Sequence, residues 1–324
     1  MNRQFIDKCY REIIKNILVI FLLFMCIVLA IIEPLFLTTG NIINVLIQIS
    51  INALLATGIT FVILTGGIDL SVSSVAAFSG VLAAFLVKRF CLDGSMFSII
   101  IIVIVTCLFS GIIFGGFNGI CVSKLNVEPF IASLGTFSIA RGFAYIISGG
   151  RPIFSLPETF KWIGQYRIGG TFPLLIVLLA IVMGLATFVI KRTPYGRHVL
   201  AVGSNEQVAY LCGVNKSQIQ RSVYYISSFL AALGGIVLAS KLGTGQPNAA
   251  EGYELNAIAA VVLGGTSMSG GKGGIGKTLL GVLTIGIINN GMSLLRVNAY
   301  WQRVVMGIII VIAVILDQYR LRTE

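Results

Sequence analysis

The chain has 324 residues, of which 56% are hydrophobic and 11% are charged. A soluble domain carries roughly a quarter charged residues, so this chain has too little polar surface to coat a soluble globule. Its mean hydropathy of +0.96 instead indicates a polytopic membrane protein for which lipid is much of the solvent. We expect a single all-α membrane domain that covers residues 1–324.

The formal net charge of the chain is +11. In a soluble protein such a charge would suggest nucleic-acid binding, but no basic stretch alternates with aromatic residues on which bases could stack. Lys and Arg collect in the cytoplasmic loops of membrane proteins, so membrane topology explains the charge. No nucleic-acid partner is expected.

A transmembrane helix needs about 20 mainly apolar residues to cross about 30 Å of hydrocarbon. The candidate segments, in chain order, are residues 17–36, 42–65, 70–88, 97–118, 129–148, 171–190, 222–240, 256–270, 278–296 and 300–316. The eighth is short and broken by glycines, and only Gly66–Asp69 separates the second from the third. We therefore expect eight to ten helices, with both termini in the cytoplasm because that orientation places most loop Lys and Arg residues there.

The first apolar run follows a basic N-terminal segment that contains Arg3, Lys8, Arg11 and Lys15, as the core of a signal peptide would. The run is longer than a typical signal core, and no small-x-small cleavage site follows it. We expect it to be retained as the first span.

The six cysteines show neither a CxxC pair nor the spacing of metal ligands. They are Cys9, Cys26, Cys91, Cys107, Cys121 and Cys212. The sole histidine, His198, has no nucleophile or carboxylate at a suggestive spacing, so we expect a surface residue. The sequence predicts no metal, no cofactor and no catalytic residue.

Polar side chains recur on one face of the second span. Gln48, Asn52, Ala56 and Thr60 fall four residues apart. Such a stripe lines a water-filled path in some membrane proteins and hydrogen-bonds to neighbouring helices in others. Both interpretations stay open at this point.

Other polar groups interrupt the apolar runs. Asp69 lies between two spans, where a carboxylate is costly unless it is capped, paired or hydrated. It either caps the third span beside Ser71 or belongs to a solute path. Arg141 and Arg303 lie within apolar segments, where an arginine extends towards the membrane surface, pairs or faces a cavity, and we expect the first of these. The candidate pathway residues are Gln48, Asn52, Asp69, Ser71 and Asn118.

Gly111, Gly115 and Gly119 repeat the GxxxG spacing in the fourth span. Small residues four apart allow two helix backbones to approach closely in lipid. We expect this face to pack tightly against another helix.

One long hydrophilic, basic segment, residues 191–221, interrupts the apolar chain. Six spans precede it, so we expect it in the cytoplasm, where a segment of this kind suits a docking partner. Ser204–Gln207 has the S-x-x-[EQ] form of a capping box, which predicts a short helix through Glu206, Ala209 and Leu211 that closes at Gly213. A helix this short is marginal alone in water, so an ordinary solvated loop is the alternative. Two loops on the far side, residues 149–170 and 241–255, are further candidate docking surfaces.

Gly271–Thr278 matches the phosphate-binding pattern G-x-x-x-x-G-K-[ST], and Asp317 after an apolar run imitates a magnesium-binding acid. A P-loop joins a strand directly to a helix, whereas residues 264–270 intervene here, and the segment after Thr278 is apolar on all sides. We expect a glycine-rich turn and no nucleotide site.

A short internal similarity links two apolar runs that are broken by paired glycines. Val62–Gly67, followed by Ser71, is similar to Val261–Gly265, followed by Ser267. Transporters often carry broken helices at corresponding places in two repeats, and chance is the alternative.

Several blocks together resemble the ribose-type (monosaccharide) ABC importer permeases, within the broader family of branched-chain amino acid and ribose permeases. The blocks are Gly66–Ser74, Phe117–Gly119, Ser133–Gly142, Thr193–Val214 and Gly252–Gly273. The chain departs from the family at Asn256, where Asp is usual, and at Lys277, where Gly is usual. The second departure creates the phosphate-binding match.

The resemblance implies a type II ABC importer-like bundle in the cytoplasmic (inner) membrane. It implies a second permease copy, cytoplasmic ATP-binding subunits and an extracytoplasmic sugar-binding protein as partners, and a transport subunit that is not itself an enzyme. Ribose is the expected solute. The implied coupling helix in the ATPase cleft contains Gly203, Ser204, Asn205, Glu206, Ala209 and Gly213, and the candidates for contact with the binding protein are Arg151, Lys161 and Arg167.

Two other classes stay open. A stand-alone secondary transporter would need an intramembrane acid to couple an ion, for which Asp69 and Glu33 are candidates. A membrane enzyme would need nucleotide binding at Gly271–Thr278. Within the permease class, another sugar, a nucleoside or a branched-chain amino acid is the alternative solute.

Overall fold

The structure is a computed structural model that describes residues 17–91 and 94–323. Its helices are α1 (Ile17–Ile32), α2 (Thr39–Leu64), α3 (Val72–Phe90), α4 (Met96–Ser110), α5 (Gly116–Ser123), α6 (Pro129–Ser148), α7 (Glu158–Gln165), α8 (Leu174–Arg192), α9 (Pro194–Ser204), α10 (Glu206–Leu211), α11 (Lys216–Leu242), α12 (Tyr253–Leu263), α13 (Ile275–Leu294) and α14 (Ala299–Thr323). A 3-10 turn, Pro34–Leu37, follows α1, and a π turn, Gly111–Gly115, joins α4 to α5. The basic N-terminal residues Arg3, Lys8, Arg11 and Lys15, and Cys9, lie outside the described residues.

Within the described ranges, 7 helices are long and apolar enough to cross a membrane, with α4 and α5 counted as one continuous span. Three further apolar helices, α1, α12 and α14, are shorter by the same measure. Large apolar side chains of the outer helices are exposed, such as Phe97 and Ile112, and lipid would cover them. The expected all-α membrane fold is confirmed.

The prediction for the eighth span was wrong at its C-terminal end. Helix α12 ends at Leu263, and the predicted continuation to residue 270 is a turn. Gly265 and Gly270 have φ angles of 90° and 85°, which a helix does not contain. The glycines therefore end the helix.

Helices α2 and α11 form the centre of the bundle, where every residue of α2 from Ile49 to Leu64 is buried. Helix α11 packs against α2, α3 and the α4–α5 span. A Cβ atom built on Gly115 would lie 2.6 Å from the carbonyl oxygen of Tyr224, and one on Gly119 would lie 3.0 Å from the Cα of Arg221. The predicted close packing of the GxxxG face is thus confirmed, and its partner is α11.

Long-range contacts show which loops share an end of the bundle. The amide of Gly271 donates to the carbonyl of Leu64 at 2.9 Å, and the amide of Met268 donates to Asp317 Oδ2 at 3.1 Å. Helices α9 and α10 of the basic segment lie at this end, which we call the basic end. At the other end, the opposite end, Ile153 pairs with Gly245.

The opposite end carries a small layer of its own. Helix α7 is held to α11 because Ser240 Oγ accepts from the amide of Gly164 at 2.7 Å and donates to the carbonyl of Phe160 at 2.6 Å. Strands β1 (Arg167–Ile168) and β2 (Phe172–Pro173) follow as an antiparallel hairpin. Residues 149–170 are therefore a structured cover on the bundle.

Candidate functional site

The basic segment folds into two consecutive helices. Thr193 caps α9, since its Oγ1 accepts from the amide of Gly196 at 3.3 Å and Pro194 takes the first helical position. Tyr195 anchors α9 through a 2.7 Å hydrogen bond between its hydroxyl and Ser222 Oγ, and burial raises the pKa of its phenol. Helix α9 is thereby fixed to α11.

The predicted capping residue of the short helix was wrong. Ser204 is the last residue of α9, and its Oγ donates back to the carbonyl of Leu200 at 2.8 Å. Asn205 caps α10 instead, because its Oδ1 accepts from the amide of Val208 at 3.0 Å. Because Ser204 belongs to the preceding helix, the next residue, Asn205, is the cap of α10.

Helix α10 presents apolar side chains to its surroundings. Val208, Tyr210 and Leu211 are 54%, 74% and 82% exposed, whereas Ala209 is buried. The segment then turns at Gly213, which has a φ angle of 79°. This left-handed residue is where the sequence predicted the helix to close.

We define residues 203–213 as the coupling segment. This segment packs directly on the bundle at Gly203. A Cβ atom at this position would collide with the carbonyl oxygen of Leu64 and would lie 2.5 Å from the amide nitrogen of Gly271. Glu206 forms an ion pair with Lys216 at the start of α11. The coupling segment thus touches two turns and one central helix at once.

The two turns under the coupling segment have the same backbone. After α2, the amide of Gly67 donates to the carbonyl of Val62 at 3.1 Å. After α12, the amide of Thr266 donates to the carbonyl of Val261 at 3.2 Å. Gly66 and Gly265, with φ angles of 77° and 90°, make each turn a Schellman motif. The same motif ends α6, α10 and α11 at Gly149, Gly213 and Gly243, so it does not decide between an internal repeat and chance.

Asp69, Ser71 and Asn118 lie together in a buried polar network. Asp69 Oδ1 accepts from the amide and the hydroxyl of Ser71 at 3.0 and 2.6 Å, and its Oδ2 accepts from Ser227 Oγ at 2.7 Å. Asn118 Nδ2 donates to Ser71 Oγ at 3.0 Å, and Thr136 Oγ1 donates to Asn118 Oδ1. All five side chains are fully buried. The carboxylate thus joins α3, α5, α6 and α11, which are separated in sequence.

Gln48 and Asn52 lie near the opposite end, away from this network. They line a polar cavity beside Tyr253 of α12. Thr60, on the same face of α2, instead hydrogen-bonds to Thr278 Oγ1 at 2.8 Å. The polar stripe of α2 therefore divides into a cavity wall and an interhelical contact.

Arg141 is paired, which was an alternative to extending towards the membrane surface. Its Nη1 donates to the carbonyls of Pro247 and Ala249 at 2.8 and 2.9 Å, and its Nε donates to Ser74 Oγ at 3.2 Å. The loop before α12 thus supplies two carbonyls to the guanidinium, and α3 supplies the hydroxyl of Ser74. Arg303, in contrast, is exposed on α14.

The three basic candidates of the opposite end occupy its outer layer. Arg151 and Arg167 are exposed, and Lys161 is half-buried on α7. Lys161 Nζ lies 2.7 Å from Glu158 Oε1, so its charge is already paired. Arg151 and Arg167 keep their charge on the surface.

The Gly271–Thr278 segment lacks the context of a P-loop. Helix α12 precedes it, and Thr278 is buried against Thr60. Asp317 is tied to the amide of Met268 in the same turn. The segment is therefore a packed turn that joins α12 to α13.

Sequence reasoning missed several partners. Ser227, Thr136 and Ser222 carry ordinary hydroxyls in apolar helices, and nothing in their spacing pairs them with Asp69, Asn118 or Tyr195. His198 is exposed, as expected. The cysteines that the structure describes are free thiols: Cys26, Cys91, Cys107, Cys121 and Cys212.

Comparisons with known proteins identify the family. The family described as branched-chain amino acid transport system, permease component, matches residues 41–314. The ribose import permease protein RbsC of Haemophilus influenzae is 41% identical over 313 residues, which cover 95% of this chain and 94% of that protein. RbsC of Bacillus subtilis is 42% identical over 302 residues, which cover 92% and 90%.

A further relative is the L-arabinose transport system permease protein AraH of Escherichia coli, 36% identical over 305 residues that cover 91% of this chain and 88% of that protein. No solved structure matches the chain. The family match and the apolar helices agree over nearly the whole sequence. The chain is therefore a multi-pass inner-membrane protein that belongs to the family of branched-chain amino acid transport system permease components.

Proposed function

We propose that this chain is the membrane-spanning permease subunit of an ATP-driven, binding-protein-dependent importer, and that its solute is ribose. Relatives named ribose import permease are 41% and 42% identical, whereas the L-arabinose permease relative is 36% identical. The match extends over nearly the full length in each case. The names support a monosaccharide, with ribose first.

The observation that carries the proposal is the exposed apolar surface of α10. Leu211, Tyr210 and Val208 stand out from a basic segment that lies beyond the ends of the spans. Lipid does not cover such a surface, and exposed apolar groups of this kind mark a protein interface. A separate ATP-binding subunit in the cytoplasm is the partner that this surface would fit.

For the membrane topology we propose ten spans with both termini in the cytoplasm. This count adds the three shorter apolar helices to the seven long ones, and the basic end then faces the cytoplasm. In this arrangement residues 191–221 are the cytoplasmic coupling loop of a single membrane domain.

The same contacts suggest how a separate ATP-binding subunit would move this chain. A pull on the coupling segment acts through Gly203 on the turns after α2 and before α13. Both helices line the side of the bundle where Gln48 and Asn52 lie, so the pull reaches the proposed path. A second copy of the chain would complete the path, and two states would interconvert as ATP binds and is hydrolysed.

At the opposite end a sugar-binding protein would dock on the outer layer. Arg151, Arg167 and the half-buried Lys161 are the proposed contacts, because this layer is structured and Arg151 and Arg167 place positive charge on its surface. Asp69, Ser71 and Asn118 are proposed to hold the helices beside the path through their buried network.

The proposal is tested by uptake of labelled sugars into proteoliposomes that contain this chain, its ATPase and its binding protein. We expect ribose uptake that requires ATP and both partners. Uptake by this chain alone without ATP would show a secondary transporter. Uptake of a branched-chain amino acid, with no monosaccharide transported, would overturn the proposed solute.

A further inference from the structure

A polar cavity opens at the opposite end between α2, α11, α12 and α13. Its outer part has a volume of about 450 Å³ and is bordered by Asn44, Gln48, Gln246 and Tyr253. A smaller space of about 40 Å³ continues inward from Gln48 and Tyr253 to Asn52, Asn256 and Asn289. The outer volume lies within the range of roughly 300–1,000 Å³ that small-molecule sites have.

The inner end of the cavity contains an unsatisfied acceptor. Asn52 is 9% exposed, and its Oδ1 has no hydrogen-bond partner. A buried amide oxygen without a partner costs free energy, and native proteins avoid that cost unless a ligand or water binds there. Beyond Asn52, α2 is buried continuously to Leu64, so the cavity is closed towards the basic end.

Most polar groups of the wall are neutral amides, and Lys241 of α11 adds a charged group to the outer part. Asn44, Gln48, Asn52, Asn256 and Asn289 each offer both a donor and an acceptor, as a sugar hydroxyl requires of its partners. The described lining residues include no carboxylate that could hold an ammonium group. Two larger cavities of the described chain, of about 600 and 490 Å³, have almost entirely apolar walls.

Arg141 positions the outer rim of this cavity. The carbonyls that it binds belong to Pro247 and Ala249, and Gln246 and Ala249 form part of the cavity wall. Arg141 thereby ties the rim to α6. These contacts are separate from the amide side chains that form the wall of the cavity.

We propose that the outer part of this cavity holds a neutral polyhydroxyl solute during transport, and that Asn52, Asn256 and Asn289, which line the small inner space, contact the end of the solute that points inward. The inference rests on the proposed function and adds to it the contact residues. Tyr253 supplies an aromatic wall between the outer and inner parts.

The first test is ATP-driven ribose uptake by the complete reconstituted complex. The Asn52→Leu and Asn256→Leu variants should each lower the initial rate about tenfold, as expected for the loss of one hydrogen bond. The matched control is the double variant Asn41→Leu with Asn290→Leu. These two amides lie on the same helices but bind each other, at 2.8 and 3.0 Å, outside the cavity.

Replacement of both members of the control pair by apolar groups should leave uptake within about twofold of the unmodified complex. The cavity proposal is overturned if the Asn52→Leu variant assembles normally and transports ribose as fast as the control. If the unmodified complex transports no monosaccharide at all, the proposed function fails instead.

The second test does not depend on transport. In the purified permease with the Asn52→Cys substitution, saturating ribose should slow alkylation of the introduced thiol at least fivefold, while leucine at the same concentration should not. The exposed Cys212 is an internal control whose alkylation ribose should not affect. Equal alkylation rates at position 52 with and without ribose would show that the cavity does not bind sugar.

Discussion

Gly203 is the residue at which the coupling segment and the bundle come closest. Its lack of a side chain allows the backbone of α9 to touch Leu64, the last residue of α2, and Gly271, in the turn before α13. Because backbone atoms surround the position, an added methyl group cannot be accommodated by a rotamer change. The coupling segment would have to lift away from both turns.

The Gly203→Ala variant should therefore lower both stability and transport. Overpacking of this kind costs about 1–3 kcal/mol in the free energy of unfolding. Thermal denaturation in detergent and ATP-driven uptake are the measurements. Gly276→Ala is the matched control, since nothing lies within 4 Å of a Cβ built there, and equal behaviour of the two variants would contradict the packing described.

Arg141 makes a second prediction at the same scale. Arg141→Met removes the donors to Pro247 and Ala249 and leaves those carbonyls without partners. We expect a loss of about 2 kcal/mol in stability, because hydrogen bonds from a charged donor are among the stronger ones. Amide hydrogen exchange in residues 243–252 should rise as well.

The control for Arg141 is Arg303→Met, which removes an exposed arginine from another apolar helix. It should change the melting temperature little. If Arg141→Met leaves hydrogen exchange of the loop unchanged, the guanidinium does not hold the rim.

Single residues also show what the sequence could not predict. The S-x-x-[EQ] pattern correctly located α10 but named Ser204 as its cap, because the pattern cannot show that Ser204 ends a preceding helix. The sequence suggested that Arg141 extends to the membrane surface. Its actual partners are carbonyls more than 100 positions away in sequence, which the local pattern does not show. Local patterns carry no information on such contacts.

At the scale of helices, the apolar spans and the close packing of the GxxxG face followed from the sequence. Spans are set by the thickness of the bilayer, and close helix contacts in lipid require small residues, so both leave local signals. The helix that packs against the GxxxG face gave no such signal in the sequence, because Tyr224 and Arg221 are not small. The buried network around Asp69 likewise joins four helices through residues of no distinctive spacing.

Helix α10 carries the interface prediction. Leu211→Asp places a charge in the most exposed apolar position of the helix, 82% exposed, and should abolish copurification of the ATPase without unfolding the bundle. Affinity purification of the complex measures whether the ATPase stays bound. Ile168→Asp on the opposite-end hairpin is the control, since Ile168 is 44% exposed and lies far from α10; retention of the ATPase by both variants would contradict the interface.

For the whole molecule, the proposed function requires that another chain supplies the energy for transport. Lys277 is exposed, and its Nζ lies 3.5 Å from the carbonyl oxygen of Gly265. The purified chain alone should hydrolyse no ATP, and the Lys277→Ala variant of the complex should transport at the unmodified rate. Appreciable ATP turnover by the isolated chain, abolished by Lys277→Ala, would show a nucleotide site after all.

The central claim is that the coupling segment faces the cytoplasm, and Cys212 reports on it directly because its thiol is free and exposed beside α10. In a variant whose other cysteines are replaced, a membrane-impermeant maleimide should leave Cys212 unlabelled in intact cells and label it in inside-out vesicles. An added cysteine at Arg151, at the opposite end, should show the reverse pattern. Labelling of Cys212 from outside intact cells would contradict the claim.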